Sequence, residues 1–346
     1  MNSFGRIFRC TTFGESHGEA IGCVIDGCPA GLELHISDIE NELVRDIPDK
    51  LLGTPRKELN EVKILSGIFN NKTLGTPICI LIPNGNHKSN DYKLMENCYR
   101  PGHAEYTYHE RYGIYHPYGG GRASGRECIA RLAAGAVAKK ILSQKNIYFE
   151  SKIDELAGER CVSHISEKLA QETCLRISEE TGDSTGGIIS LIIKGVPAGV
   201  GSPVFGKLNA LIMYALSTIG GVKGVENGLG FDASRLTGSS YNDEFGIIDD
   251  EIQPLTNNAG GVLGGISTGQ NLTFRIAVKP TPSIPIPQKS VNWQTKEEFS
   301  LELNGRFDKN FTPRVAPVAE AMASLVLIDE MIAAGMINPT RIGEVN

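Results

Sequence analysis

The sequence has no apolar run approaching 18 residues, so it offers no candidate membrane-spanning helix. It has no excess of positive charge: 34 Lys and Arg stand against 40 Asp and Glu, a formal charge of −6. A nucleic-acid or anionic-membrane surface is therefore not favoured, although local basic clusters can still bind small anions. The eight cysteines (Cys10, Cys23, Cys28, Cys79, Cys98, Cys128, Cys161 and Cys174) form no C-x-x-C pair and no Cys/His zinc spacing. The opening residues MNSFGRIFRC hold two arginines and a polar run, which is not a signal-peptide pattern. Together these absences lead to the expectation of a soluble cytoplasmic protein with reduced, mostly buried thiols and no bound metal.

Glycine is what the chain has in surplus. It supplies 40 of 346 residues, against a usual share of roughly 7 %. The glycines lack every-third-residue spacing, which excludes collagen. With 40 % hydrophobic and 21 % charged residues the chain is not a disordered Gly/Pro-rich tail either. The glycines belong to a folded protein that needs positive φ, tight turns or backbone close to a ligand. The length allows two domains or one large α/β domain.

An internal repeat runs at a constant offset of 168 residues. Residues 14–31 read GESHGEAIGCVIDGCPAG and residues 182–199 read GDSTGGIISLIIKGVPAG, with seven of 18 positions identical and no gap. Each copy has a Gly-rich turn, an apolar strand (Ile21–Ile25; Ile188–Ile193) and a G-x-P-A-G turn. A helical stretch follows each, Ser37–Arg45 and Gly206–Leu216. This predicts a pseudo-symmetric core of two related β–α halves. The copies differ at His17, which is Thr185 in the second. A scaffold residue would tend to repeat; a chemical one need not.

Elsewhere, short apolar runs predict strands at Val62–Ile68, Pro77–Ile82, Ile147–Ile153 and Leu272–Val278. Helical patterns lie at Arg126–Ser143, Ile165–Thr181, Gly206–Ile219 and Val315–Ala334. Gly220–Gly265 and Lys279–Pro313 read as long connections of the kind used in function or assembly. The pattern predicts one α/β domain with helices packed outside sheets.

Five segments have residues suited to chemistry. Gly14-Glu15-Ser16-His17-Gly18 matches the nucleophile-elbow pattern, which would make Ser16 an esterase nucleophile. However, it begins at residue 14 and its frame recurs at Gly182, so His17 reads instead as an exposed acid/base group. Tyr99-Arg100-Pro101-Gly102-His103 sets an arginine beside a histidine, fit to hold an anion while the imidazole moves a proton. Gly119-Gly120-Gly121-Arg122-Ala123-Ser124-Gly125-Arg126-Glu127 opens a helix. It reads both as a phosphate cradle and as a capping box from Ser124 to Glu127. It is neither a Walker A nor a Rossmann fingerprint. Lys279-Pro280-Thr281-Pro282-Ser283 offers a cation and two hydroxyls fixed by prolines, suited to a phosphate or flavin edge. Gly305-Arg306-Phe307-Asp308 joins an arginine and a carboxylate in one turn.

In chain order these segments resemble chorismate synthases. The likeness runs through FGESHG, DGCPAG, TPRKE, ILSG, YRPGHAEYTY, GGGRASGRE, VKGVE, GFD, NNAGGVLGGIS and KPTPS to EAMASLVL, nearly the whole chain. It implies one domain over 1–346, a β-α-β sandwich with an internal duplication, and a homotetramer. The implied activity is a carbon–oxygen lyase reaction: anti-1,4-elimination of phosphate from 5-enolpyruvylshikimate 3-phosphate, giving chorismate. It requires reduced FMN without net redox change. Matching motifs imply catalytic roles for His17, His103 and Asp308. They imply FMN contacts at Arg122, Ala123, Ser124, Gly220, Gly221, Gly264, Lys279, Pro280, Thr281, Pro282, Ser283 and Arg306. They assign the anionic substrate to Arg45, Arg100 and Arg126. With no dinucleotide fingerprint in the chain, an external flavin reductant is expected.

The chain departs from the family pattern in four places. Where the family reads R-R-R-P-G, this chain has Arg45-Asp46-Ile47-Pro48-Asp49, losing positions associated with substrate phosphate or NADP contact. G-R-H-D-P-C becomes Gly305-Arg306-Phe307-Asp308-Lys309-Asn310, an asparagine becomes Gly220, and the aspartate of RPGHAD becomes Glu105. The missing arginines raise the alternative of a weakly active or inactive flavin- or anion-binding relative.

Overall fold

The computed structural model describes residues 1–46, 51–53, 61–85, 97–305 and 307–343. The first half of the chain forms β1 (Ser3–Phe4), β2 (Arg9–Phe13), β3 (Ala20–Asp26), α1 (Ile36–Val44), β4 (Lys63–Ser66), β5 (Ile68–Phe69), β6 (Lys72–Thr73), β7 (Ile78–Pro83), α2 (Glu105–Tyr112) and α3 (Cys128–Ser143). The second half opens with β8 (Tyr148–Leu156), β9 (Glu159–Arg160), α4 (His164–Thr181), β10 (Gly187–Lys194), α5 (Leu208–Ser217) and β11 (Val222–Asn227). It continues through α6 (Gly238–Tyr241), β12 (Phe245–Ile248), β13 (Glu251–Pro254), β14 (Val262–Leu263), β15 (Ile266–Ser267) and β16 (Leu272–Val278). It ends with β17 (Gln288–Asn292), β18 (Glu297–Leu301) and α7 (Thr312–Ala333).

Two antiparallel five-stranded sheets result, ordered β1-β2-β3-β7-β4 and β11-β16-β10-β8-β9. Helix α3 packs on β2, β3 and β7; α7 packs on β8 and β10; and the two helices pack on each other. The helices therefore form a layer between the sheets and not an outer cover, which corrects the expectation from periodicity. The reason lies in α7, where nineteen of 22 residues are buried. A helix apolar on all sides must be covered on all sides. Its closest approach to α3 is at Gly135, where a Cβ would lie 2.4 Å from Ala321 Cβ. One continuous core runs through both halves.

The predicted strands and helices coincide with β3, β10, β7, β8, β16, α1, α3, α4, α5 and α7 within a few residues at each end. The segment Val62–Ile68 is broken, with β4 ending at Ser66 and β5 beginning at Ile68. The connections Gly220–Gly265 and Lys279–Pro313 are not plain loops. They carry β11 to β14 with α6, and β17 with β18. Their strands are two to six residues long and mixed in polarity, too short for alternation to register. Helix α2, reading EYTYHERY, likewise has no apolar stripe.

The duplication extends beyond the sequence repeat. The turn glycines Gly27 and Gly195 have φ of +81° and +79°. A Cβ on them would lie 1.9 Å from Ile7 O and 2.1 Å from Asn146 O, so both positions admit only glycine. A second stretch also recurs, at a different offset. The β5–β6 hairpin and β7 match the β14–β15 hairpin and β16 in pairing register. Gly67 corresponds to Gly261, Gly75 to Gly269, and the turn Asn70-Asn71 to Gly264-Gly265, all at positive φ. Side chains differ too much there for the match to show in the sequence.

The hydroxyls repeat as well. Thr73 Oγ1 donates to Pro29 O (2.7 Å) and accepts from Leu32 N (3.0 Å). Ser267 Oγ donates to Pro197 O (2.6 Å) and accepts from Val200 N (2.9 Å). Both residues are buried. Replacing Thr73 strands a buried donor and a buried acceptor, and replacing Ser267 strands the buried Val200 N–H. Thr73→Val and Ser267→Ala should each cost about 1–3 kcal/mol, read by denaturant unfolding. Wild-type stability in both would disprove the clamp.

Candidate active site

The β2–β3 turn carries His17. Gly14, with φ +90°, starts it, and a Cβ there would lie 2.1 Å from Ala20 O. Asn84 Nδ2 pins the turn by donating to Glu15 O (3.0 Å) and Gly18 O (2.9 Å). Ser16 Oγ lies 3.1 Å from His17 Nδ1 and 3.3 Å from Gly119 O, to which it donates. The turn joins two antiparallel strands with no helix after Ser16. The strand–turn–helix of a nucleophile elbow is thus missing, which disfavours the esterase reading.

Gly119, Gly120 and Gly121 follow with φ of +62°, +83° and +51°. A Cβ on Gly119 would lie 1.9 Å from His17 Cε1, and one on Gly120 would lie 2.5 Å from His103 Cε1. The three-glycine backbone passes between two imidazoles, which no residue with a side chain allows. This explains the GGG run in physical terms and brings His17 and His103 to one place.

His103 is held by its own turn. Its Nδ1 is 2.8 Å from Glu105 Oε1, which also accepts from Arg100 Nε (2.7 Å) and Nη2. Burial pushes the Glu105 carboxyl up, but the His103 hydrogen bond and the Arg100 charge outweigh it and hold it below the ordinary range. Arg100 Nη1 reaches Ser283 Oγ (3.3 Å), and Lys279 Nζ donates to Gly102 O (2.6 Å). Lys279 N donates to Gly221 O (2.9 Å). Burial and the nearby Lys223 push the Lys279 ammonium down. Around Gly220 a Cβ would meet nothing within 4 Å, and Thr281 Oγ1 is buried without a partner. Ser184, the counterpart of Ser16, donates to Thr281 O at 2.7 Å and steadies this strap.

Asp308 precedes α7. Arg314, in the first turn of that helix, lies 3.6 Å from Asp308 Oδ2 and donates to Asp46 through Nε (3.3 Å) and Nη2 (3.2 Å). Burial pushes the Asp46 carboxyl up against the Arg314 charge. Arg126 Nε donates to Asn84 Oδ1 at 3.3 Å, linking this end to the His17 turn. Arg314 and Glu105 escaped the sequence reading as site residues. For Arg314 the available signal was a cation in the first turn of an otherwise apolar helix; for Glu105 it was a carboxylate two residues after His103.

Other expected residues are placed differently. Arg45 forms a bidentate pair with Glu320 (2.6 and 2.7 Å), which Lys139 shares at 2.7 Å. The Arg122 guanidinium turns to Thr12 Oγ1 (2.6 Å), Gly14 O (3.3 Å) and Glu127 (3.4 Å). Ala123 N donates to Gly120 O (2.8 Å), and Ser124 Oγ caps Arg126 N (3.3 Å). Ser124 does not form a full capping box, because Glu127 pairs with Arg131 at 2.9 Å. Gly264 lies in the β14–β15 turn, at the opposite end of β16 from Lys279. Arg306, residues 47–50 and the TPRKE motif lie outside the described residues. Among the described residues, no group of three or more His, Cys, Asp or Glu could hold a metal ion, and no helix is long and apolar enough to cross a membrane.

The family model described as chorismate synthase matches residues 8–332. Chorismate synthases of Methanocella arvoryzae and Archaeoglobus fulgidus are each 45 % identical, covering 100 % and 97 % of this chain and 98 % and 99 % of theirs. That of Methanosarcina mazei is 46 % identical, covering 98 % of both. A solved structure described as a crystal structure of chorismate synthase aligns with TM-score 0.72 at 27 % identity, over 95 % of this chain and 93 % of that one. With its imidazoles, strap and carboxylates in this order, the chain belongs to the chorismate synthase family.

Proposed function

We propose that this cleft, within one domain spanning 1–346, carries out the family's anti-1,4-elimination of phosphate from 5-enolpyruvylshikimate 3-phosphate. The observation that carries the reading is the three-glycine backbone threaded between His17 and His103, with Lys279, Arg100 and Arg126 nearby. The substrate has a phosphate and two carboxylates, and an acidic chain needs such a local cationic cleft to hold it. Arg314 adds a further cation beside Asp308. The same cations favour developing charge on departing phosphate.

The residues fit a flavin. The unpartnered Thr281 hydroxyl and the open space at Gly220 lie on the strap and turn that the resemblance assigns to FMN. The holding residues we propose are Gly220, Gly221 and Lys279 to Ser283, with Arg306 and Gly264 kept from the resemblance. Arg122, Ala123 and Ser124 shape the adjoining turn. Reduced FMN held by these residues would supply transient electron donation to the breaking C–O bond. His17, steadied by Ser16, gives a proton toward the phosphate side. His103 would hold a proton toward the cofactor side, Asp308 would take up a proton, and Arg100 and Arg126 would orient the anion. Arg45 acts one layer back through Glu320.

We further propose a cytoplasmic homotetramer whose flavin is reduced by an external reductant. The assembly is supported by the β12–β13 hairpin, whose Phe245, Ile247 and Ile252 are exposed by 63 %, 75 % and 79 %. Exposed apolar surface of this kind marks an interface.

Anaerobic release of phosphate with reduced FMN tests the reaction. Tight flavin binding without release would favour the inactive relative. His17→Ala and His103→Ala should each lower turnover by roughly 10–10⁴-fold with an unchanged melting curve; wild-type turnover in both would refute their roles. Thr281→Val removes a hydroxyl with no internal partner. It should leave apoprotein stability unchanged yet weaken FMN binding by roughly 2–10-fold, followed by flavin fluorescence. Equal affinity would remove Thr281 from the flavin site.

A further inference from the structure

We infer that Glu105 is a positioning residue that fixes the ring orientation and tautomer of His103. The inference rests on the proton-transfer role given to His103 above. Glu105 is the first residue of α2 and is 5 % exposed. Its Oε1 is the shared acceptor of Arg100 and of His103 Nδ1 at 2.8 Å. Its Oε2 is buried with no partner. The carboxylate thus aims one oxygen at the histidine and leaves the other unsatisfied, which is costly for a group serving only stability.

An imidazole whose Nδ1–H is donated to a carboxylate keeps Nε2 as the nitrogen that exchanges protons. Here that nitrogen lies on the edge facing Gly120, where a Cβ would be 2.5 Å from Cε1 and 3.0 Å from Nε2. The other charged or titratable groups around the pair are Arg100, with Nη2 3.2 Å from His103 Nδ1 and 3.4 Å from Nε2; Lys279, bonded to Gly102 O; Cys98 and Tyr115, which sense the Glu105 charge; and His17 beyond Gly119. Among the described residues, Glu105 is the only carboxylate within hydrogen-bond reach of His103. Without it, Arg100 presents donors to an imidazole nitrogen that must then accept, and the proton moves to Nε2. A triad histidine deprived of its carboxylate behaves in this way.

The test uses the full chain with ¹⁵N-labelled histidine, His103 being assigned by the signals lost in His103→Ala. At alkaline pH, where imidazoles are neutral, the wild type should show the Nδ1–H form. Glu105→Gln loses the charge, and its single carbonyl oxygen is contested by Arg100. It should shift the population toward Nε2–H and lower kcat by roughly 10–10³-fold with little change in KM. Glu105→Asp should retain the Nδ1–H form. Should Glu105→Gln fold poorly, Glu105→Met gives the same reading on the ring. An unchanged tautomer in the charge-removing variant, or a fall confined to KM, would overturn the inference. Failure of the parent reading is separate: it would appear as wild-type turnover in His103→Ala, whatever the tautomer.

Discussion

The contact between α3 and α7 sets the geometry of everything else. Gly135 lets Ala321 approach to a distance that any side chain would forbid, so the helices run side by side as the shared core of both halves. The N-terminal end of α3 is preceded by Gly119 to Glu127. That of α7 is preceded by Asp308 and contains Arg314. Packing two buried helices therefore also places the imidazole pair and the carboxylate at neighbouring ends of one layer. Close-packed interiors do not deform continuously, so this spacing is held by the whole core and not by the loops.

Charge follows the same logic. Four buried or half-buried arginines near the layer are each matched by a carboxylate: Arg45 by Glu320, Arg100 by Glu105, Arg131 by Glu127 and Arg314 by Asp46. Buried ions require such partners, since removing one leaves the other uncompensated. Asp46 anchors Arg314 and so serves the cleft through a neighbour. An acidic protein can in this way keep a locally cationic floor, because its carboxylates sit behind the cations.

The duplication divided the work. The turn at Gly14 kept Ser16 and gained a histidine against the glycine backbone. The turn at Gly182 kept Ser184 and has Thr185, which bonds Cys174 and Asn310 inside the core. One turn sets His17 against the glycine backbone; its twin holds residues 279–283 through Thr281. Asn84 and Asn310 do matching service, each donating to the carbonyl of the last turn glycine, Gly18 or Gly186.

Much of this was legible in the residues. The 168-residue repeat, strands such as Leu272–Val278 and the glycine turns all depend on local chemistry, namely periodicity, positive φ and motif spacing. Other features were settled only in three dimensions. Helices α3 and α7 lie inside because apolar residues encircle them, which a one-face pattern understates. The second repeat, from Gly67 to Gly261, conserves backbone φ and register while its side chains diverge. The partner of each arginine depends on residues as distant in sequence as Arg45 and Glu320. Sequence alone determined which groups could do chemistry and which turns needed glycine, because these are properties of single residues and near neighbours. Tertiary structure decided which carboxylate each of these arginines pairs with and which backbone lies between His17 and His103, because those choices follow from packing between distant segments.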